Sequence, residues 1–152
     1  MPQAQTVEWE TPQPLFDALD REFHFDVDAA ASHANAKCAK YFTVKEDALQ
    51  YPWCAVGSIW LNPPYGRQVG KWMQKAYEES RRQSFPVVCL IPARTDTAWW
   101  HNYVMKAAEI RLIRGRIKFV GAESGAPFPS AIVVFRKGQS KPRISTYYLP
   151  TV

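Results

Sequence analysis

Asn62, Pro63, Pro64 and Tyr65 follow directly on an apolar run, Ile59-Trp60-Leu61, and are of a kind that can handle an amino group. The two prolines fix φ and carry no N–H, and Pro63 pushes Asn62 toward an extended conformation. The carbonyls of this stretch cannot be absorbed into a helix and point outward as acceptors. An Asn carboxamide oxygen beside a backbone carbonyl makes a two-acceptor fork that suits an NH2 group on a planar ring or an amide. Tyr65 adds a flat face on which such a ring can stack. The same four residues can also be no more than a rigid strand exit with a loop aromatic, so the remainder of the chain has to decide.

Acidic and basic residues come next. Phe25 and Val27 alternate with Asp26 and Asp28 as in a short strand, and Ala29-Ala30-Ala31-Ser32 follows as a turn of residues small enough for a ligand to approach the backbone. In open α/β sheets ligands bind beyond the carboxyl ends of strands, where Asp28 is expected. Capping of the strand and its successor is the other reading for both aspartates. Arg94 leaves the end of a second apolar strand and can hold a phosphate in its planar fork or simply form an ion pair. Arg111, Arg114, Arg116 and Lys118 crowd together around a glycine turn. Solvated charge is one reading, and a basic finger against DNA phosphates is the one favoured here, with Arg94, Arg114, Arg116 and Lys118 as contacts. A net charge of +5 points the same way, to a polyanionic partner.

Other chemistries find little support. The three cysteines are widely spaced and the three histidines scattered, so neither a disulfide framework nor a metal site is expected. No apolar run approaches the roughly 20 residues needed to span a bilayer, and no secretory signal opens the chain, so a cytoplasmic location is expected.

The elements that must position these groups can be read in order. With 152 residues and 47% hydrophobic content, one domain over residues 1–152 is expected, loosely ordered over 1–8. Thr11 as N-cap and Pro12 as first helical residue open a helix whose Leu15, Phe16, Leu19 and Phe23 form an apolar stripe. Residues 41–44 have strand character, and Glu46 and Asp47 follow. Residues 67–84 read as a helix burying Val69, Trp72, Met73, Ala76 and Tyr77, with Lys71, Gln74, Lys75, Glu78 and Glu79 on the wet face. Residues 85–92 are a continuous apolar run, hence a central parallel strand covered on both faces. Thr95 or Asp96 can cap a helix carrying Trp99, Trp100, Tyr103, Val104 and Ala107. Residues 109–113 and 117–120 read as short strands, 121–129 as a loop, 131–135 as a final apolar strand and 144–149 as an edge strand. The sum is an α/β fold with a mostly parallel central sheet and helices on both faces.

Four motifs in this order, Trp9-x-Thr-Pro-x-x-Leu-Phe, Phe-Asp-Val-Asp-Ala-Ala-Ala-Ser, Trp-Leu-Asn-Pro-Pro-Tyr-Gly and Gly-Arg-Ile-x-Phe, resemble the phage-type DNA adenine-N6 methyltransferases, over residues 9–135. The resemblance implies a Rossmann-like fold that uses S-adenosylmethionine to methylate the exocyclic amine of adenine in double-stranded DNA. It implies Asn62, Pro63, Pro64 and Tyr65 as the catalytic loop, with Thr11, Pro12, Asp28, Ala29, Ala30 and Asp47 around the cofactor. The family's glycine-rich cofactor turn is replaced here by alanines. Only some thirty residues separate Asp28 from Asn62, so an abbreviated sheet is expected there, at 30 or more residues per βαβ unit. A separate target-recognition domain has no room, and sequence reading falls to loops such as residues 114–129. The same loop motif serves enzymes acting on RNA amines or protein glutamine, and a non-catalytic DNA-binding module on a methyltransferase scaffold is a further alternative.

Overall fold

The computed structural model describes residues 9–32, 34–43 and 48–151. Its elements run α1 (Gln13–Phe23), β1 (Phe25–Ala31), β2 (Lys40–Thr43), β3 (Ser58–Leu61), α2 (Val69–Arg82), β4 (Val87–Pro92), α3 (Ala98–Asn102), a 3-10 turn (Val104–Lys106), β5 (Glu109–Arg114), β6 (Ser130–Phe135) and β7 (Arg143–Tyr148). The strands form a seven-stranded sheet in the order β2-β1-β3-β4-β6-β5-β7. β1 pairs in parallel with β2 and β3, and β3 with β4. β6 runs antiparallel to both β4 and β5, and β7 lies parallel to β5. β5 therefore points the same way as β4, and the carboxyl ends of β1, β3, β4 and β5 share one rim.

Alternation along the central strands divides the core in two. Ile59, Leu61, Val87, Cys89, Ile91 and Val133 face the side covered by α2 and α3. Trp60, Val88, Leu90, Ile132 and Val134 face α1 and the segment 117–128. The apolar stripe of α1, Leu15, Phe16, Leu19 and Phe23, is buried as its spacing predicts. Each such side chain contributes about 1.5–3 kcal/mol on leaving water. A continuous apolar strand such as β4 follows from having both faces covered. The α/β architecture expected from the sequence is present. Between β1 and β3 the described residues hold β2 alone and no crossover helix, which is the abbreviation that the short spacing predicts. No helix among the described residues is long and apolar enough to cross a membrane.

Several expectations are corrected. Thr11 does not cap α1; Pro12 stands at that position, accepting Leu15 N and Phe16 N through its carbonyl, and no side chain caps the helix. Thr97, in place of Thr95 or Asp96, caps α3 by accepting Trp100 N at 3.3 Å. That helix stops at Asn102, so Tyr103, Val104 and Ala107 lie beyond it. Ala29, Ala30 and Ala31 belong to β1 itself and form no turn. Residues 117–120 are not a strand. Their alternation instead buries Ile117 and Phe119 against the α1 side, while Lys118 and Val120 face out. Glu79 is buried, not wet, because the same 3.6-residue stripe that buries Trp72 and Ala76 reaches it. Its carboxylate is paired with Lys75 at 2.9 Å and Arg82 at 3.1 Å, which makes that burial tolerable. The loosely ordered start expected over residues 1–8, the strand position of Val44 and the cofactor role expected of Asp47 all fall outside the described residues.

Candidate active site

β3 ends at Leu61, and Asn62 is the first residue beyond it, at the centre of the rim. Its Nδ2 donates to the Trp9 carbonyl at 2.6 Å and to Thr11 Oγ1 at 3.0 Å. Its Oδ1 is buried without a hydrogen-bond partner. The orientation is forced, since turning the amide over would set two acceptor oxygens, Oδ1 and Trp9 O, against each other. Residues far away in sequence thus occupy the donor side of Asn62 and leave its acceptor unclaimed. An orphaned buried carbonyl costs about 1–3 kcal/mol, so it is kept for something that arrives later.

Pro63, Pro64 and Tyr65 line the same cavity as Asn62. Pro63 is buried and Pro64 exposed. The Tyr65 hydroxyl donates to Leu90 O at 3.2 Å, and burial pushes its phenol well above the usual range. The proton stays on, and the residue acts through its ring. Trp9 lies almost parallel to that ring, with centroids 6.4 Å apart and planes at 22°. Phe119 and Phe128 meet Tyr65 edge-on at 6.2 and 5.5 Å.

The cavity holds 340 Å³, inside the roughly 300–1,000 Å³ range of small-molecule and cofactor sites. Its floor is the end of β1, Asp28, Ala29, Ala30 and Ala31, with Ser32 just beyond, and Thr11 and Trp72 also line it. Register in the β1–β2 pair slips between Asp28 and Ala31, an irregularity of the kind that re-aims backbone beside functional sites. Asp28 explains part of it. Its carboxylate accepts Ala30 N at 3.2 Å and Lys37 N at 3.0 Å, pinning the connection from β1 toward β2. Asp26, by contrast, takes Lys40 Nζ and Val56 N and lies away from the cavity. Pro12, expected beside Thr11 at the cofactor, is not among the lining residues. It holds the first turn of α1 behind Thr11.

Burial raises Asp28 to about 6, outweighing the two backbone N–H groups that favour its charge. In the folded protein Asp28 therefore takes up its proton at a higher pH than in the unfolded chain. The resulting stabilisation is full below about pH 4 and is lost as pH rises through 6, in all about 3 kcal/mol. Urea unfolding at pH 4.5 and 6.5 checks this. The difference in stability between wild type and Asp28→Asn should change by about 2 kcal/mol across that window, and a constant difference contradicts it.

The basic residues divide. Arg94, Arg114, Arg116 and Lys118 are all exposed and all leave strands or loops at the rim that carries Asn62. Arg111, expected in the same cluster, is not available. It donates to both carboxylate oxygens of Glu22 at 2.7 and 2.6 Å and also meets Glu109 at 3.2 Å. It staples α1 to the sheet. The segment 115–129 is held as a platform. Ala126 N donates to Ile117 O and Val120 N to Glu10 O. A Cβ on Gly125 would come within 2.9 Å of Arg116 Cβ, so the chain folds back too tightly there for any side chain. No group of three or more metal-ligating side chains exists among the described residues.

Sequence reasoning missed Trp9, Phe119, Phe128 and Trp72 as cavity or aromatic-wall residues. Trp9 had a signal, since it stands two residues before Thr11 in a motif already singled out. Phe119 had one too, as the last residue of the Gly-Arg-Ile-x-Phe motif, whereas Phe128 had none, because its contact with Tyr65 depends on a loop closing over the sheet.

An acceptor held open at the end of a central parallel strand, with an aromatic wall beside it, suits a reaction in which an amine surrenders its hydrogens to hydrogen bonding and its lone pair to a new bond. Enzymes that alkylate amino nitrogens form that class. The family model for DNA N-6-adenine-methyltransferase (Dam) matches residues 1–149, and the chain belongs to that family. It is similar to the DNA N-6-adenine-methyltransferase of Escherichia phage T1, at 29% identity over 163 residues that cover 93% of this chain and 68% of the relative. It is also similar to YfdM of Escherichia coli (strain K12), at 34% identity over 64 residues covering 38% of this chain and 70% of that protein. The protein is an enzyme that methylates the N6 amine of adenine in DNA.

Proposed function

We infer that Asn62 Oδ1 and the Pro63 carbonyl accept the two hydrogens of the adenine amine, and that the target base stacks on Tyr65 after leaving the duplex. The orphaned Asn62 Oδ1, fixed by Trp9 O and Thr11 Oγ1, carries this reading. An adenine inside a helix cannot present its amine to a recessed acceptor, so extrusion of the base is required. Accepting both hydrogens draws the nitrogen lone pair out of conjugation with the ring and makes it nucleophilic. The binding geometry supplies most of the acceleration, as it does when a bound pair replaces a bimolecular encounter. No covalent link to the chain is needed.

The methyl donor of this reading is S-adenosylmethionine, which when bound supplies a sulfonium methyl group. The residues present fit it. The cavity has the size for it, Ala29 and Ala30 leave the backbone approachable, and the buried Trp72 Nε1 on its lining is unclaimed. Thr11, Asp28, Ala29 and Ala30 would hold it, with Pro12 supporting Thr11. Asp47 remains in this proposal as the acidic residue for the adenosyl moiety.

Arg94, Arg114, Arg116 and Lys118 would track phosphates of double-stranded DNA along the rim. Loop residues 114–129 would do the reading of the target sequence. The phage relative supports action in the cytoplasm of a bacterial host.

Transfer of a labelled methyl group from S-adenosylmethionine to unmethylated duplex DNA, followed by nucleoside analysis, tests the whole. Label in N6-methyladenine is expected; label in no nucleoside, or in RNA or protein alone, overturns it. The DNA face has its own check. Replacing the four basic rim residues with Gln should lower the slope of log affinity against log salt by about 0.9 for each phosphate that is no longer neutralised. Arg111→Gln should leave that slope unchanged while weakening the fold.

A further inference from the structure

Among the described residues, five buried side-chain polar atoms have no hydrogen-bond partner: Asn62 Oδ1, Trp72 Nε1, Arg81 Nε, Gln83 Nε2 and Ser130 Oγ. Of the residues that carry them, Asn62 and Trp72 line the cavity. Asn62 offers an acceptor and Trp72 a donor, so the two ask for complementary groups on what binds there. Folded proteins pair the great majority of such groups, because an unpaired buried donor forfeits its bond to water and gains nothing.

Trp72 is held firmly in this state. It sits on α2 and is 8% exposed. Trp53 stacks on it with centroids 6.3 Å apart and planes at 28°. The two indoles differ in one respect, since Trp53 Nε1 is satisfied by Ala48 O at 2.7 Å and Trp72 Nε1 by nothing. Position completes the case. Trp9 joins the α1-side packing, and Tyr65 touches the clusters on both faces. Trp72 packs on the other face of the sheet, in the cluster of Val27 and Ala29. Ala29 and Ala30, which line the cavity, belong to the same packing as Trp72.

We propose that the Trp72 indole N–H is the hydrogen-bond donor for the adenosyl part of the methyl donor, to a ring nitrogen or a ribose oxygen. The proposal rests on S-adenosylmethionine occupying this cavity. Both moieties of an adenosyl group carry acceptors for which an indole N–H is a fitting partner. Trp72 is then a binding residue for the cofactor, and its uncompensated donor in the free protein is a pre-set part of the site.

Titration calorimetry with S-adenosylhomocysteine tests this on the full chain. Two replacements of Trp72 are compared with wild type: Trp72→Phe, and substitution by benzothienylalanine, which keeps the shape of the indole and deletes its N–H. Both should bind roughly 5- to 20-fold more weakly. The ligand-free benzothienylalanine protein should melt no lower than wild type, because the deleted donor had no partner. Trp72→Phe can also lose packing, so the isosteric replacement is decisive. Unchanged affinity in that protein, beside a wild type that binds, overturns the role of Trp72 and leaves the proposed function standing. A wild type that binds no S-adenosylhomocysteine overturns both.

Discussion

Asn62→Asp is expected to lose methyl transfer at neutral pH and to regain part of it in acid. A carboxylate at this position would set a charged oxygen against Trp9 O, where Nδ2 now donates at 2.6 Å, and beside Thr11 Oγ1. The protonated acid is different. Its O–H can donate to Trp9 O while its carbonyl oxygen faces the cavity, which reproduces the amide. Burial and the facing Trp9 carbonyl, which can only accept, favour that neutral form, so the variant's carboxyl titrates above the ordinary value of about 4. Activity then rises as pH falls toward that raised pKa. Asn62→Ala has no such rescue and should lose about 10²–10³-fold in kcat at every pH, the scale seen when one preorganised polar contact to a transition state is removed. Cofactor affinity should survive in both. Rate against pH for the three proteins decides the matter. An aspartate variant as active as wild type at pH 8, or an alanine variant of comparable turnover, excludes the role given to Asn62.

Tyr65 should separate ring from hydroxyl. Tyr65→Phe keeps the face and the packing and loses the bond to Leu90 O. A cost of about 0.5–1.5 kcal/mol in stability is expected, with activity on duplex DNA nearly unchanged. Tyr65→Ala removes a stacking platform worth about 1–3 kcal/mol per base, so kcat/KM on duplex DNA should fall by roughly 10- to 100-fold. It also opens a cavity among Trp9, Phe119 and Phe128, with a stability loss of about 3–5 kcal/mol. Assays below the melting temperature of both variants keep the two effects apart. The deficit of the alanine variant should shrink on a mismatched target adenine, which is cheaper to extrude. A phenylalanine variant as crippled as the alanine one would show that the hydroxyl itself takes part.

Both expectations turn on what the sequence could and could not convey. The Asn-Pro-Pro-Tyr loop is legible because prolines dictate backbone geometry locally, and β4 because a strand covered on both faces needs an unbroken apolar run. The donor partners of Asn62 are not. One is a backbone carbonyl, which has no residue type, and the other is a threonine whose position before a helix argues for capping. Residues 117–120 read as a strand because alternation marks any segment with one buried side, and nothing local says whether a neighbouring strand is there to pair. Charge alone places Glu79 in water, although it stands three residues after Ala76 and seven after Trp72. Arg111 reads as one of the basic residues free for DNA, since its carboxylate partner Glu22 lies 89 residues earlier in the chain.

The insertion of β6 between β4 and β5 bears on how the molecule assembles. β5 is synthesised before β6, yet its place beside β4 is taken by that later strand, and its other neighbour, β7, comes later still. α1 packs from the first quarter of the chain onto Ile132 and Val134. The half made of β1 to β4 can pair once residue 92 is made, but β5 has no partner until β6 follows, and closure of the sheet waits for β6 to fill the gap between β4 and β5. Such nonlocal pairing slows folding and leaves strand edges open for longer than in a helical protein of this size. During synthesis, β4 is an apolar edge that stays open to a second nascent copy until β6 pairs with it.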